Sequence, residues 1–253
     1  FRPGGVNRRI FQTPFYSSDT LTNYELGIKS DWADGQFRFN AAIFQQDWDD
    51  FQFSFLGQNG LTEVRNGGTA SIRGIESDIT WRPNDQFTLT AAAMAIESEI
   101  GQNYCSLIPV PPPDPWVQTT DCPSVDSDLL APEGTQLPVT PDLKADLTAR
   151  YEFPFLGSEA YAQGSVVYQS GATQDLRTFE SGIIGSLPAY TAIDLSMGFS
   201  FDMFDLDFFL RNATDERGEL YRYTECQIAV CGETAYTVPI RPRTFAVRVS
   251  RTF

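Results

Sequence analysis

Residues Asp142–Phe153 read DLKADLTARYEF, and every second residue belongs to a different chemistry. Leu143, Ala145, Leu147, Ala149, Tyr151 and Phe153 form one set; Asp142, Lys144, Asp146, Thr148, Arg150 and Glu152 form the other. In a strand, successive side chains point to opposite faces, so this segment has one apolar face and one largely charged face. Two surroundings accept both faces. A soluble sandwich buries the apolar one in a core; a membrane barrel turns it to lipid and gives the charges a wet lumen.

The pattern recurs along the 253 residues. Tyr24, Leu26, Ile28 and Trp32 alternate with Glu25, Gly27, Lys29 and Asp31. Phe37–Ile43, Ile75–Trp81, Phe87–Ala93, Thr191–Phe201, Leu206–Leu210 and Phe245–Phe253 follow the same rule, while Ala160–Ser170 has no clear phase. The reading is nine strands, each meeting the 9–11 residues that a tilted membrane strand needs, and no stretch keeps a helical period. The connections sort by length. ADGQ (Ala33–Gln36), PNDQ (Pro83–Gln86), PFLGS (Pro154–Ser158) and DMFD (Asp202–Asp205) are short; Gly101–Thr140, Gly171–Leu187 and Asp215–Ile240 are long. Alternation of short turns with long loops is expected of an outer-membrane barrel, periplasmic on one side and extracellular on the other. Trp32, Phe37, Trp81, Phe87, Tyr151, Phe153, Phe155, Phe199, Phe201, Phe204 and Phe253 cluster at the short-turn ends, as an interfacial girdle would.

Composition narrows the function. A net charge of −15 argues against binding the phosphate backbone of nucleic acid. The chain has no His, the commonest general base and metal ligand. It shows no nucleophile elbow, phosphate loop or His-containing triad, so an enzyme, a metal site and a cofactor are not expected. The longest apolar run, AAAMAI (Ala91–Ile96), is far short of the ~20 residues of a spanning helix. Four cysteines form two local pairs, Cys105 with Cys122 and Cys226 with Cys231, at spacings that match no zinc pattern. Disulfides within loops, in an oxidising compartment, are the expectation. The first residue is Phe1, and the N-terminus reads as processed or incomplete.

Several segments resemble, in order, the C-terminal half of a TonB-dependent outer-membrane receptor. They are FRPGGVN (Phe1–Asn7), NYELGIKSDWADGQFRFNAAIF (Asn23–Phe44), RGIESDITWRP (Arg73–Pro83), FLRNATDERG (Phe209–Gly218) and the terminal RPRTFAVRVSRTF (Arg241–Phe253). The resemblance implies an all-β fold: about nine C-terminal strands, residues 1–253, of an antiparallel transmembrane barrel of 22 strands, with no plug domain in this chain. It implies that Phe245, Val247, Val249 and Phe253 carry the signal read during assembly. Arg251 departs from the family by standing where an outward aromatic is usual. Nine strands cannot close such a barrel, and open edges in lipid leave N–H and C=O groups unpaired. The implied partners are therefore the remaining barrel and plug, of the same receptor or a second chain, together with the TonB system acting through the plug, outer-membrane lipid and, as a further candidate, a surface lipoprotein.

Glu25, Glu76, Asp146, Arg150 and Arg211 read as lumen-facing charges turned toward a plug, with the carboxylates, Asp78 and Glu152 included, pairing across strands with Lys29, Arg150, Arg211 and Arg248. In the long loops Trp116, Arg177, Tyr221, Arg222 and Tyr223 are the ligand candidates, since rings stack and guanidinium groups pair with anions. Packing the loops together is the equally open alternative. The acidic loop Asp121–Asp128 reads as solvated. The implied function is energised uptake of a ferric siderophore, cobalamin or oligosaccharide at the bacterial outer membrane. The rival readings are a passive porin and a soluble all-β binding module.

Overall fold

The computed structural model describes residues 1–7, 14–56, 61–109, 116–117, 121–122, 129–224 and 232–251. Nine strands form one antiparallel sheet: β1 (Thr20–Trp32), β2 (Phe37–Asp49), β3 (Ala70–Asn84), β4 (Phe87–Ile100), β5 (Leu143–Phe155), β6 (Ser158–Gln169), β7 (Tyr190–Ser200), β8 (Asp205–Arg211) and β9 (Thr244–Ser250). Each pairs with its neighbours in chain order, so the sheet is a plain meander with β1 and β9 as its two edges. No helix among the described residues is long and apolar enough to cross a membrane.

Register fixes the faces. One hydrogen-bonded row joins Ser30, Phe39, Ile79, Ala91, Leu147, Val166 and Ile193, and the next joins Trp32, Phe37, Trp81, Leu89, Ala149, Gly164 and Leu195. On the opposite face a single row runs through Lys29, Asn40, Asp78, Ala92, Asp146, Val167 and Ala192. The alternation seen in Asp142–Phe153 is thus propagated in phase across the sheet; a one-residue slip would put charge among the apolar rows. Leu26, Ile28, Leu147, Phe245 and Val249 are exposed, as lipid-facing side chains are.

The short connections close tightly. Leu156 and Gly157 both take positive φ between β5 and β6, the geometry of a two-residue hairpin turn. Ala33, Asp34 and Gly35 do the same between β1 and β2, and Asn84 Oδ1 accepts the Gln86 and Phe87 N–H groups before β4. At this end Trp81 meets Phe87, Tyr151 stacks on Phe153, and Phe155, Phe199, Phe201 and Phe204 follow one another in ring contact. Phe253 lies outside the described residues.

Two expectations need correction, and one open reading is resolved. β8 and β9 have seven residues each, fewer than a tilted membrane strand was expected to need. β8 stops because Asn212 enters the left-handed region (φ 49°) and its side chain satisfies the turn, accepting the Glu216 N–H and donating to the Glu216 and Arg241 carbonyls. Helical structure exists where none was expected: α1 (Thr178–Ile184), in the loop between β6 and β7. The unclear segment resolves with Tyr161, Gln163, Ser165 and Val167 sharing the charged face, and Ala162, Gly164 and Val166 the apolar one.

The buried core does not lie within the wall. Phe51, Ile100, Tyr104, Ala131, Leu137 and Leu176 pack together at the long-loop end, with Trp48, Phe53, Ile72 and Leu130 against them. Loops β2–β3, β4–β5 and β6–β7 all contribute, so they form a packed cap. Small two-stranded pairs stand outside the wall, among them Gln52–Leu56 with Thr62–Asn66 and Tyr104–Cys105 with Leu129–Ala131.

Candidate functional site

The charged face of the wall has two halves of different character. Over β1–β6 it is recessed, with a cavity of about 870 Å3 lined by Glu25, Lys29, Glu76, Asp78, Lys144 and Asp146. Small residues on the same face, Gly27, Ala42 and Ala92, make the depression. Asn40 donates to Asp78 at 2.9 Å, and Asn23 to Glu25 at 3.3 Å. Lys29, Lys144, Glu76 and Asp146 form no ion pair with one another.

Over β5–β9 the same face is braced. Tyr161 Oη donates to Asp207 Oδ1 at 2.9 Å, and Arg248 Nε and Nη2 donate to Asp207 Oδ2 at 3.0 and 2.9 Å. Arg150 lies over the Tyr161 ring at 3.7 Å and donates to Glu152 at 2.8 Å; Arg248 lies over Phe209 at 5.5 Å. A methyl group on Gly198 would fall inside the Tyr161 ring, so glycine is what lets that ring lie flat across β7. Glu25, Glu76 and Asp146 line the recess, Arg150 belongs to the brace, and Arg211 ends β8 on the same face, paired with Thr244. One expectation is corrected here: Arg150 pairs along its own strand with Glu152, because two residues on share a face and Gln163 and Thr88, its neighbours across, carry no charge.

In the loops the structure locates most of the ligand candidates. Arg177 is largely buried; it donates to Asp175 at 2.8 and 3.0 Å and meets Glu180 at 2.7 Å. Burial alone would lower its pKa, but the Asp175 bonds and the two carboxylates raise it. Burial raises the Glu180 carboxyl despite Arg177. Arg222 pairs with Glu219 at 2.6 Å, and its backbone N–H donates to Gln174. Tyr221 and Tyr223 are exposed on the hairpin Glu219–Tyr223 with Tyr236–Pro239. Tyr223 stacks on Tyr221 at 5.9 Å and on Tyr236 at 5.7 Å, which makes a three-ring ladder. Trp116 pairs through its backbone with Pro109. Cys105 and Cys122 are joined in one loop, with Cα atoms 5.4 Å apart. Cys226 and Cys231 lie outside the described residues.

Sequence reasoning missed two groups. Asp19, just before β1, accepts from the Arg2 backbone and guanidinium, from Trp48 Nε1 at 3.0 Å and from the Gln52 N–H at 3.1 Å. Burial would raise its pKa, yet the Arg2 and backbone bonds bring it down to about 2. Tyr104 is buried among the loops, and loss of water pushes its phenol up to about 12. Asp19 carried no local signal, since its partners come from three separate segments. No group of three or more His, Cys, Asp or Glu among the described residues is arranged to hold a metal.

A meander with one lipid-facing side, a polar concave side, an aromatic rim and a capped outer end is the wall of an outer-membrane barrel. The family model described as TonB dependent receptor-like, beta-barrel matches residues 1–213, and the chain belongs to that family. Its members are outer-membrane proteins of Gram-negative bacteria, transport receptors and not enzymes. Among solved structures, the chain is similar to the ferric yersiniabactin uptake receptor FyuA from Yersinia pestis, at 19% identity and TM-score 0.70 over 98% of this chain and 32% of that one. The siderophore receptor PiuA from Acinetobacter baumannii matches at 19% and 0.63, over 90% and 28%. The pyoverdine receptor FpvA from Pseudomonas aeruginosa matches at 14% and 0.62, over 94% and 30%. The chain spans about a third of the length of these receptors.

Proposed function

We propose that this chain supplies part of the barrel wall and outer loops of an energised receptor for a scarce nutrient, with a ferric siderophore as the first candidate cargo. The observation that carries the reading is the open nine-strand wall, with β1 and β9 as edges, in a chain of this family. Lipid cannot satisfy an edge, so both edges pair with strands of the same receptor or of a second chain. The concave face, with Glu25, Glu76, Asp146, Arg150 and Arg211, then surrounds a plug through which the TonB system acts. The solved neighbours named for yersiniabactin and pyoverdine favour a siderophore over cobalamin or an oligosaccharide.

In the loops, the Tyr221–Tyr223–Tyr236 ladder is the surface offered to a ligand. Arg177 and Arg222 serve mainly to hold the cap, because carboxylates of their own loops already take their charge. The test is uptake of a panel of radiolabelled ferric siderophores by cells expressing the full receptor, with and without TonB. At least one member should accumulate, and its uptake should fall to background without TonB. Uptake of every small solute, unchanged by loss of TonB, would replace the receptor with a porin.

A further inference from the structure

The hairpin that carries the tyrosine ladder has two faces. Tyr221 and Tyr223, with Val238 and Tyr236 opposite them, share one face; Arg222 with Thr237 lies on the other. Two paired strands of five and four residues are at best marginal in water, so this hairpin depends on what it rests against. Its support is the loop between β6 and β7, and Arg222 makes the contact twice. Its backbone N–H donates to the buried Gln174 side chain at 3.1 Å. Its guanidinium, held by Glu219, reaches the Ile184 carbonyl with Nη1 at 3.4 Å. That carbonyl belongs to the last turn of α1, one of those a helix leaves for outside donors. Two glycines make room. A methyl carbon on Gly185 would stand 2.9 Å from Arg222 Nη1, and one on Gly218 would stand 2.5 Å from Tyr190 Cγ, at the start of β7. α1 is fixed in the cap by Leu176 and Ile184, both buried, and by the Arg177 pairs with Asp175 and Glu180. Contact therefore runs from the cap through α1 to Arg222 and the rings on either side of it, wholly within this chain.

We propose that Arg222 is the positioning residue of the ladder: acting through Gln174 and the end of α1, it holds Tyr221, Tyr223 and Tyr236 in place before cargo arrives. The proposal rests on the receptor reading above, with the ladder as its ligand surface. A surface ordered in advance loses less freedom on binding, so Arg222 sets the affinity for cargo. The energised step is driven elsewhere, through the plug, so the maximal rate of uptake does not depend on it.

The test has two arms on the full receptor, each variant first checked for a folded, heat-modifiable band. In the purified receptor, hydrogen exchange is followed on peptides covering residues 217–223 and 232–240. Arg222→Gln should speed it about tenfold, and Gln174→Ala, which leaves Arg222 itself intact, should act in the same direction, while a peptide covering 48–54 stays as in the parent. In cells, uptake of the labelled ferric siderophores of the panel is measured against concentration. For a member that the parent accumulates, Arg222→Gln should raise the half-saturating concentration about tenfold and leave the maximal rate within about twofold. In a background of Tyr221→Ala, Tyr223→Ala and Tyr236→Ala it should add nothing further, because it acts through the rings. Unchanged exchange in Arg222→Gln would overturn the proposal whatever the cargo. Faster exchange with an unchanged half-saturating concentration would overturn it as well, since the hairpin would be held to no purpose in binding. A full effect of Arg222→Gln in the ring-free background would mean that Arg222 meets the cargo itself, and would also overturn it. A ring-free receptor that keeps the parent's half-saturating concentration would remove the ladder as ligand surface, and the positioning role with it, while leaving the receptor intact. A parent that takes up nothing from the panel would remove the receptor reading, and the proposal with it.

Discussion

Asp19→Asn isolates one electrostatic anchor of the outer cap. Asp19 is 2% exposed and ties Phe1–Asn7 to the ends of β1 and β2 through Arg2, Trp48 and Gln52. Its pKa falls from an ordinary 3.8 to about 2 in the folded chain. The folded state therefore prefers the carboxylate, and the stabilisation is present above the unfolded pKa and lost as pH falls through the folded one. At 1.36 kcal/mol per pH unit the difference is about 2.5 kcal/mol, or roughly 60-fold in a local opening constant. Asparagine keeps one acceptor but turns an N–H toward donors, so the variant should open more readily at pH 6 and show little further change on acidification. The assay is hydrogen exchange by mass spectrometry on peptides covering residues 14–22 and 48–54 of the receptor, between pH 6 and pH 2, corrected for intrinsic exchange. Protection in the parent should drop about 30-fold across that window, half of the full effect, because the folded carboxyl is only half protonated at pH 2. Equal corrected protection at both ends, or a variant that keeps the parent's pH dependence, would refute the reasoning.

Leu147→Arg places a charge on the lipid face near the middle of β5 and should destabilise the folded receptor by about 2–4 kcal/mol in denaturant titrations. Thr148→Arg loses only the 2.9 Å contact with Ser165, should cost roughly 1 kcal/mol, and equal costs at the two positions would count against a membrane wall. Gly198→Ala drives a methyl into the Tyr161 ring and should cost about 1–3 kcal/mol, while Gly182→Ala in α1, which meets nothing, should be neutral or slightly stabilising; the ratio of unfolding midpoints checks it. Peptide mapping without reductant should recover Cys105 joined to Cys122, and Cys226 joined to Cys231 within its own loop; a bond between the two loops would contradict the local pairing.

The wall was readable because its information is local. A period of two in Asp142–Phe153 assigns faces by itself, and the register carries that assignment to every neighbour. Ala160–Ser170 was not readable because Val166 and Val167 are adjacent aliphatics on opposite faces, while Ala162 and Gly164 leave the lipid side almost without a signal. The length of β8 was overestimated because Asn212 looks like an ordinary strand-end residue until its side chain is seen closing the turn. The cap was invisible for a different reason. Phe51, Ile100, Tyr104 and Leu176 come from four separated segments, and nothing near any one of them announces the others.

The arginines of the loops were legible in part. Asp175 and Glu180 flank Arg177, with Glu180 three residues on in the first turn of α1, a spacing at which an ion pair forms readily. Glu219, by contrast, reaches Arg222 along one strand only because the register shifts between Glu219 and Tyr221. The carboxylates around Arg177 point to a structural role before any ligand is considered. Tyr221 and Tyr223 were visible as neighbours of like kind, but the third ring of the ladder, Tyr236, comes from the far side of the hairpin.

That one face of this sheet meets lipid and the other meets water is tested most directly by a nitroxide scan of Leu143–Phe153 in the reconstituted receptor. Collision rates with oxygen, which partitions into lipid, and with a polar nickel chelate, which stays in water, are measured at each position. Oxygen accessibility should peak at 143, 145, 147, 149, 151 and 153, and nickel accessibility at 144, 146, 148, 150 and 152, in strict opposition. Loss of the two-residue period, or the same period with its phase reversed, would contradict the wall described here.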